Sequence, residues 1–289
     1  MKLGYLGLGK MGKNHVMRLK EKGYEIVAWN RSGSDEIETV GSIKEVVDAL
    51  ETPRVIWIMV THTGVDGILE ELTPLLLKGD IVIDGGNSNY KDTMRRGKMF
   101  EEKGIHFVDA GVSGGPRGAR EGACIMYGGE KEVVEKLEGL FKDSSAPDAY
   151  QYMGSVGAGH FTKMVHNGIE YGMMQALAEG FNLLKNADFG IQLKDAARIY
   201  NNKSVIESRL TAWAEDGFSM YGEELEEVSG TVAHTGEGKW TVEAAHEYNQ
   251  PAPIIEGSFQ FRVDSENNPS YIGKVLSMLR NMFGGHSIK

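Results

Sequence analysis

Short apolar runs and amphipathic stretches alternate through the first half of the chain. Residues 2–7 read as a short buried strand, residues 10–22 repeat their apolar positions at helical spacing, and residues 25–29 are strand-like again. Together they predict a βαβ unit. Residues 54–60 and 80–84 are further β-branched runs, separated by a helix-like stretch over about 65–77, and residues 105–109 and 124–127 add two more. This alternation predicts an α/β domain of the Rossmann-like, doubly wound kind, a mostly parallel sheet with helices on both faces. Strand signals thin out after about residue 153. From Gly157 onward the pattern is helical, with a long apolar-periodic segment over about 160–187, and the glycines at 154–159 mark the boundary. The expected layout is an α/β domain over 1–156 followed by an all-helical domain over 157–289.

Composition narrows the function classes. With 41% hydrophobic and 25% charged residues the make-up is that of an ordinary globular protein, and no apolar run approaches the ~20 residues a membrane span needs. Lys and Arg number 31 against 41 Asp and Glu, a formal net charge of −10. The basic surface on which non-specific nucleic-acid binding depends is therefore missing. The single Cys124 cannot form an intramolecular disulfide, and residues 1–4 run straight into a strand pattern instead of a signal peptide. A cytoplasmic protein is expected, binding neither nucleic acid nor membrane. No His, Cys and carboxylate cluster has metal-ligand spacing, so the chemistry is expected to be metal-independent.

The 38 glycines follow no repeat, and their placement is the first functional signal. Gly7-Leu8-Gly9-Lys10-Met11-Gly12 is a G-x-G-x-x-G between a strand and a helix, the context in which the motif signifies dinucleotide binding. Gly7 permits the tight turn, Gly9 lets a pyrophosphate approach the helix N-terminus, and Gly12 allows close helix–strand packing. The bland alternative is a glycine-rich turn with no ligand. An NAD site usually carries Asp or Glu at the end of the second strand to hold the ribose 2′-hydroxyl. Asn30-Arg31-Ser32 stands there instead, and a guanidinium with a hydroxyl would welcome a 2′-phosphate. NADP is favoured, with NAD as the alternative should Arg31 be only a solvated surface residue. Val60, ending the third strand at the same edge, is expected to line the cofactor. Asn87, in the Asp84-Gly85-Gly86-Asn87-Ser88 turn, would contact cofactor or substrate, or merely shape an Asx-turn.

Lys163, His166, Asn167 and Glu170 stand at i, i+3, i+4 and i+7 on the long predicted helix. Seven steps bring the first and last within about 20° around the axis, so the four polar groups share a face. On a solvated helix this would mean only weak ion pairing. Apolar neighbours Phe161, Met164, Val165 and Ile169, and the Gly157-Ala158-Gly159 entry, argue for a catalytic face. A desolvated lysine can act as general base, Asn167 can hold a reacting hydroxyl, and Glu170 can deliver a proton elsewhere on the substrate. A loop over 110–116, with Ser113, Gly114 and Gly115, follows a strand at the edge where open α/β sheets bind ligands and could hold a carboxylate, or could be a plain turn.

Together these segments resemble 6-phosphogluconate dehydrogenases of the decarboxylating, short-chain kind, within the β-hydroxyacid dehydrogenase superfamily. The similarity runs through residues 7–12, 30–32, 84–88, 111–115 and 118–120, the stretch 160–171, Gly238-Lys239-Trp240-Thr241 and the terminal segment 280–286, while Pro116-Arg117 departs from the acidic residues that long-chain members tend to carry there. The resemblance implies oxidation of 6-phosphogluconate at C3 with NADP, then loss of C1 as CO2, leaving ribulose 5-phosphate. Under it, Lys163 is the base and Glu170 the acid that protonates C1 of the five-carbon enediol left after CO2 departs. Ser113, Gly114, Gly115, His166 and Asn167 hold the carboxylate and hydroxyls, and Tyr171, Lys239, Arg262, Arg280 and His286 hold the phosphate. It also implies a homodimer or dimer of dimers in which the C-terminal tail, with Arg280 and His286, is shared between subunits. Singly, each of these basic residues would be read as a surface charge.

Two other readings remain at this point. A dehydrogenase of a small unphosphorylated 3-hydroxy acid would have no use for Lys239, Arg262, Arg280 or His286. A dinucleotide-binding regulatory protein would have none for Lys163 and Glu170.

Overall fold

A computed structural model of the protein describes residues 1–234 and 236–289. The chain forms two compact units, residues 1–163 and 164–289. In the first, seven strands alternate with helices: β1 (Lys2–Leu6), α1 (Lys10–Glu21), β2 (Glu25–Trp29), α2 (Ile43–Asp48), β3 (Val55–Ile58), α3 (His62–Leu72) and β4 (Ile81–Asp84). Then come α4 (Tyr90–Glu101), β5 (His106–Ser113), α5 (Gly115–Glu121), β6 (Ala123–Gly128), α6 (Lys131–Lys136), α7 (Glu138–Ser144) and β7 (Ser145–Gly154). The sheet order is β2-β1-β3-β4-β5-β6-β7. Every adjacent pair is parallel except β5 with β6. This is the expected doubly wound α/β architecture. The strand order reverses at β1, so the carboxyl ends of β1 and β3 flank a crevice of the kind that takes ligands.

The strands read as continuous apolar runs because both sheet faces are covered. With a side-chain period of two, Tyr5 and Trp57 pack on one face with Val16, Leu19 and Phe141. Leu6, Ile56 and Ile58 pack on the other with Val46, Val65, Leu69 and Phe100. Two segments depart from the sequence expectation. The strand expected to stop at 109 continues to Ser113, because Gly111 and Ser113 pair antiparallel with Met126 and Cys124. Most of the expected 110–116 loop is therefore strand. β7 was not foreseen: its Pro147 and the positive φ of Asp148 (58°) break the strand pattern, and only an edge strand with a register shift tolerates both.

α8 (Ala158–Lys185) carries the chain into the second unit, which holds α9 (Leu193–Tyr200), α10 (Arg209–Tyr221), α11 (Gly236–Glu247), α12 (Pro253–Asp264) and α13 (Tyr271–Gly284). Its core joins Met174, Ala178 and Phe181 of α8 to Leu210, Ala214 and Phe218 of α10 and to Val275, Met278 and Leu279 of α13. Ser208 and Ser270 cap α10 and α13, accepting hydrogen bonds from the Thr211 and Gly273 N–H groups. No described helix is long and apolar enough to cross a membrane.

Candidate active site

The glycine fingerprint forms the turn from β1 into α1. Gly7 has φ +104°, and a Cβ there would fall 2.4 Å from the Met59 carbonyl oxygen and 2.6 Å from Val60 Cγ1. A Cβ on Gly12 would lie 2.1 Å from the Gly7 carbonyl oxygen, so the helix can approach the turn only without one. Above Gly9 there is open space, with nothing within 4 Å of where a Cβ would sit. A pyrophosphate fits this cradle: the turn is closed where chain packs on chain and open where phosphate would meet the helix N-terminus. Leu8 is buried, Met11 packs against the core and Lys10 is exposed.

The Asn30 side chain braces the turn beside the cradle. Its Oδ1 accepts from the Leu8 N–H at 3.1 Å, while its Nδ2 donates to Ser32 Oγ (3.1 Å) and the Gly33 carbonyl (2.7 Å). It ties the end of β2 to the fingerprint turn and leaves Arg31, exposed and unpaired among the described residues, as the group free to meet a ligand. At the neighbouring edge Asn87 is exposed on a rigid loop. Buried Asp84 accepts from Gly86 N–H (3.0 Å), Ser88 O–H (2.8 Å) and Arg96 Nη1 (3.2 Å). Arg96 also grips Asp66 with two nitrogens at 2.9 and 3.1 Å. Those hydrogen bonds, Arg96 first, hold the Asp66 carboxyl down at about 2.

The start of α8 is anchored by Asp109 on β5. Its carboxylate, fully buried, accepts from the Gly157 N–H at 2.7 Å and the His160 N–H at 2.8 Å, and burial pushes its pKa up. One helical turn on, Lys163 is only 7% exposed. Its stem crosses β5 at Gly111, where a Cβ would fall 2.4 Å from Lys163 Cβ. Burial pushes the Cys124 thiol up and the charge of Lys163 opposes it. Cys124 is the register partner of Ser113, so the lysine lies by the end of β5, where Gly114 (φ +124°) and Gly115 (φ +63°) turn into α5.

Within the helical unit, α8 presents His166, Asn167, Glu170 and Tyr171. His166 Nδ1 lies 2.9 Å from Asn167 Oδ1 and 3.9 Å from Glu170 Oε2, and Asn167 Nδ2 donates to Glu237 Oε1 on α11 at 3.1 Å. The guanidinium of Arg262, on α12, lies over the Tyr171 ring, 3.4 Å from its centroid. Arg262 is 1% exposed, and its Nε and Nη1 have no hydrogen-bond partner among the described residues. Burial, reinforced by the charge of Arg280 and opposed by Tyr171 and Glu170, pulls its pKa down to about 10. Arg280 on α13 is 7% exposed and is likewise lowered by burial, with Tyr171, Glu170 and Glu237 opposing. Two buried guanidiniums side by side make a site for an anion. The structure does not bring Lys239 to them: it is exposed and 3.6 Å from Glu243, one turn along α11. The His286 ring meets Phe283 edge-on with centroids 5.8 Å apart, and the tail bonds back to its own unit through Ser229 N–H and the Ile288 carbonyl (2.7 Å).

Sequence reasoning passed over Asp109, Arg96 and Glu237, which brace the start of α8, the Asp84–Ser88 turn and Asn167. Their signal was faint: an acidic residue before a glycine-lined strand end, and a carboxylate inside the Gly236–Trp240 stretch. No described group of three His, Cys, Asp or Glu could hold a metal.

A dinucleotide cradle followed by a lysine-bearing long helix and a helical unit defines the class: an oxidoreductase that uses a nicotinamide dinucleotide. Residues 2–157 match the family model of the NAD binding domain of 6-phosphogluconate dehydrogenase, and residues 159–281 match that of its C-terminal domain. The chain belongs to the 6-phosphogluconate dehydrogenase family. It is 43% identical to YqeC of Bacillus subtilis, provisionally named a 6-phosphogluconate dehydrogenase, over 99% of both chains. It is 37% identical to an NAD(+)-dependent, decarboxylating 6-phosphogluconate dehydrogenase of Haloferax volcanii, over 100% of this chain and 98% of that one. Among solved structures, Plasmodium falciparum 6-phosphogluconate dehydrogenase, described with its cofactor NADP+ and its substrate, superposes with a TM-score of 0.79 at 25% identity, covering 98% of this chain and 70% of that one.

Proposed function

We propose that the protein oxidatively decarboxylates 6-phosphogluconate to ribulose 5-phosphate and CO2, with NADP as the electron acceptor. The observation that carries this reading is Arg262, buried with two guanidinium nitrogens unpartnered among the described residues and under the charge of buried Arg280. Glu170 and Glu237 act on the two charges, yet Arg262 Nε and Nη1 find no acceptor among the described residues, and a phosphate dianion supplies both the charge and the acceptors. A small unphosphorylated hydroxy acid leaves those two nitrogens of Arg262 without an acceptor. The decarboxylating relatives support the rest.

In this reading residues 1–156 bind the dinucleotide and residues 157–289 bind substrate and assemble into a homodimer or dimer of dimers in the cytoplasm. Gly7, Gly9 and Gly12 cradle the pyrophosphate, and Arg31 meets the 2′-phosphate. Bound NADP supplies the hydride acceptor. Lys163 takes the C3 hydroxyl proton as the hydride leaves and later returns one to the resulting C3 carbonyl oxygen as CO2 departs, giving the enediol. Ser113, Gly114, Gly115, Asn87, His166 and Asn167 hold the carboxylate and hydroxyls, and Glu170 protonates C1 of the enediol. Tyr171, Arg262 and Arg280 hold the phosphate, and Lys239 on α11 and His286 on the shared C-terminal tail join them when the subunits assemble. The test is turnover of purified protein with 6-phosphogluconate against gluconate, each with NADP and NAD. The reading expects a strong preference for the phosphorylated acid. Equal use of gluconate would overturn it.

A further inference from the structure

Glu237 is a carboxylate 4% exposed on α11, and its contact with Asn167 has a direction. A carboxylate can only accept, so the 3.1 Å contact requires the Asn167 amide to donate through Nδ2. That choice turns Asn167 Oδ1, which also can only accept, toward His166 Nδ1 at 2.9 Å. His166 Nδ1 must then carry a proton. In the neutral imidazole this leaves Nε2 bare, an acceptor. Glu170 Oε2, 3.9 Å from the same Nδ1, is too far for a hydrogen bond of its own but favours the proton on that side.

We infer that Glu237 is a positioning residue that, through Asn167, holds His166 in its Nδ1–H tautomer and so makes Nε2 an acceptor suited to a hydroxyl rather than to an anionic oxygen. The identity of that hydroxyl rests on the proposed function. The tautomer does not. With the chain running Glu237 to Asn167 to His166, the site tells a polyol's O–H from a phosphate or carboxylate oxygen by hydrogen-bond polarity, leaving anions to Arg262 and Arg280.

Glutamine at 237 is the informative change. It keeps size and both hydrogen bonds, but its amide can donate as well as accept, so the chain can run in either direction. Imidazole nitrogen-15 spectra of the ligand-free, full-length protein at alkaline pH, with the His166 signals identified by their loss in a His166→Gln variant, read the tautomer directly. Wild type is expected to show a pyrrole-type Nδ1 and a pyridine-type Nε2. Glu237→Gln is expected to show a substantial Nε2–H population. A wild-type Nε2–H tautomer would overturn the inference, and so would a Glu237→Gln protein with the wild-type pattern. In turnover, Glu237→Gln is expected to raise KM for 6-phosphogluconate several-fold with KM for the dinucleotide unchanged, and a change in the dinucleotide KM alone would also count against it. If wild type fails to turn over 6-phosphogluconate, the functional reading falls while the spectra still decide the tautomer.

Discussion

Replacing Arg262 by methionine separates a structural cation from a ligand-binding one, because the two roles predict opposite changes in stability. The guanidinium is 1% exposed, held over the Tyr171 ring, with Nε and Nη1 unpartnered among the described residues. Its pKa of about 10 corresponds to roughly 3 kcal/mol against the charged form in the folded, ligand-free protein. Methionine removes that cost and fills much of the volume, but forfeits the cation–π contact, worth ~1–2 kcal/mol when desolvated. The ligand-free variant should therefore be more stable than wild type by about 1–2 kcal/mol, a rise of several degrees in Tm. Loss of one or two charge-assisted hydrogen bonds to phosphate, at ~1.5–3 kcal/mol, should raise KM for 6-phosphogluconate roughly 10- to 150-fold. Scanning calorimetry without ligand and steady-state kinetics read the two effects separately. A variant destabilised by more than about 1 kcal/mol with KM unchanged would refute the reasoning, since Arg262 would then serve the fold.

Lys163→Met should retain dinucleotide binding, read by fluorescence titration, while turnover falls roughly 10²–10⁴-fold, the usual span for general acid–base catalysis. Arg31→Ala should raise KM for NADP far more than KM for NAD, as shown by parallel kinetics with the two cofactors. The buried ring of His15 donates from Nε2 to Ser144 and accepts the Tyr5 hydroxyl at Nδ1, and burial, then Arg18, lowers its pKa to about 3. A base lowered on folding binds its proton only in the unfolded chain. Its stabilisation is therefore whole above about pH 6.5 and is lost as pH falls, by roughly 2–3 kcal/mol at about pH 4.5. Urea melts across that range should show this slope in wild type and its absence in His15→Leu.

Much of this was legible before any coordinates, for physical reasons that differ by region. The βαβ start and the fingerprint were plain because each glycine answers a local demand: a positive φ at Gly7, a 2.1 Å clash avoided at Gly12. The polar face of α8 followed from helical phase alone. The extension of β5 to Ser113 was hidden because Gly111 breaks the β-branched pattern: it pairs with Met126 but stays side-chain-free where the Lys163 stem crosses, a contact between residues far apart in sequence. Asn30 was read as a ligand contact, but its partners are the Leu8 N–H and the Gly33 carbonyl, and no local pattern distinguishes a brace from a binder. The burial of Arg262 and Arg280 is a property of helix packing that a charge count cannot convey.

The central claim is that oxidation and loss of C1 occur together on a phosphorylated sugar acid. The direct measurement is reaction of purified protein with C1-labelled 6-phosphogluconate and NADP, following labelled CO2 and reduced dinucleotide in the same vessel. The account predicts the two in equal amounts, with ribulose 5-phosphate as the remaining product. Reduced dinucleotide formed with the label still in the organic acid would contradict it.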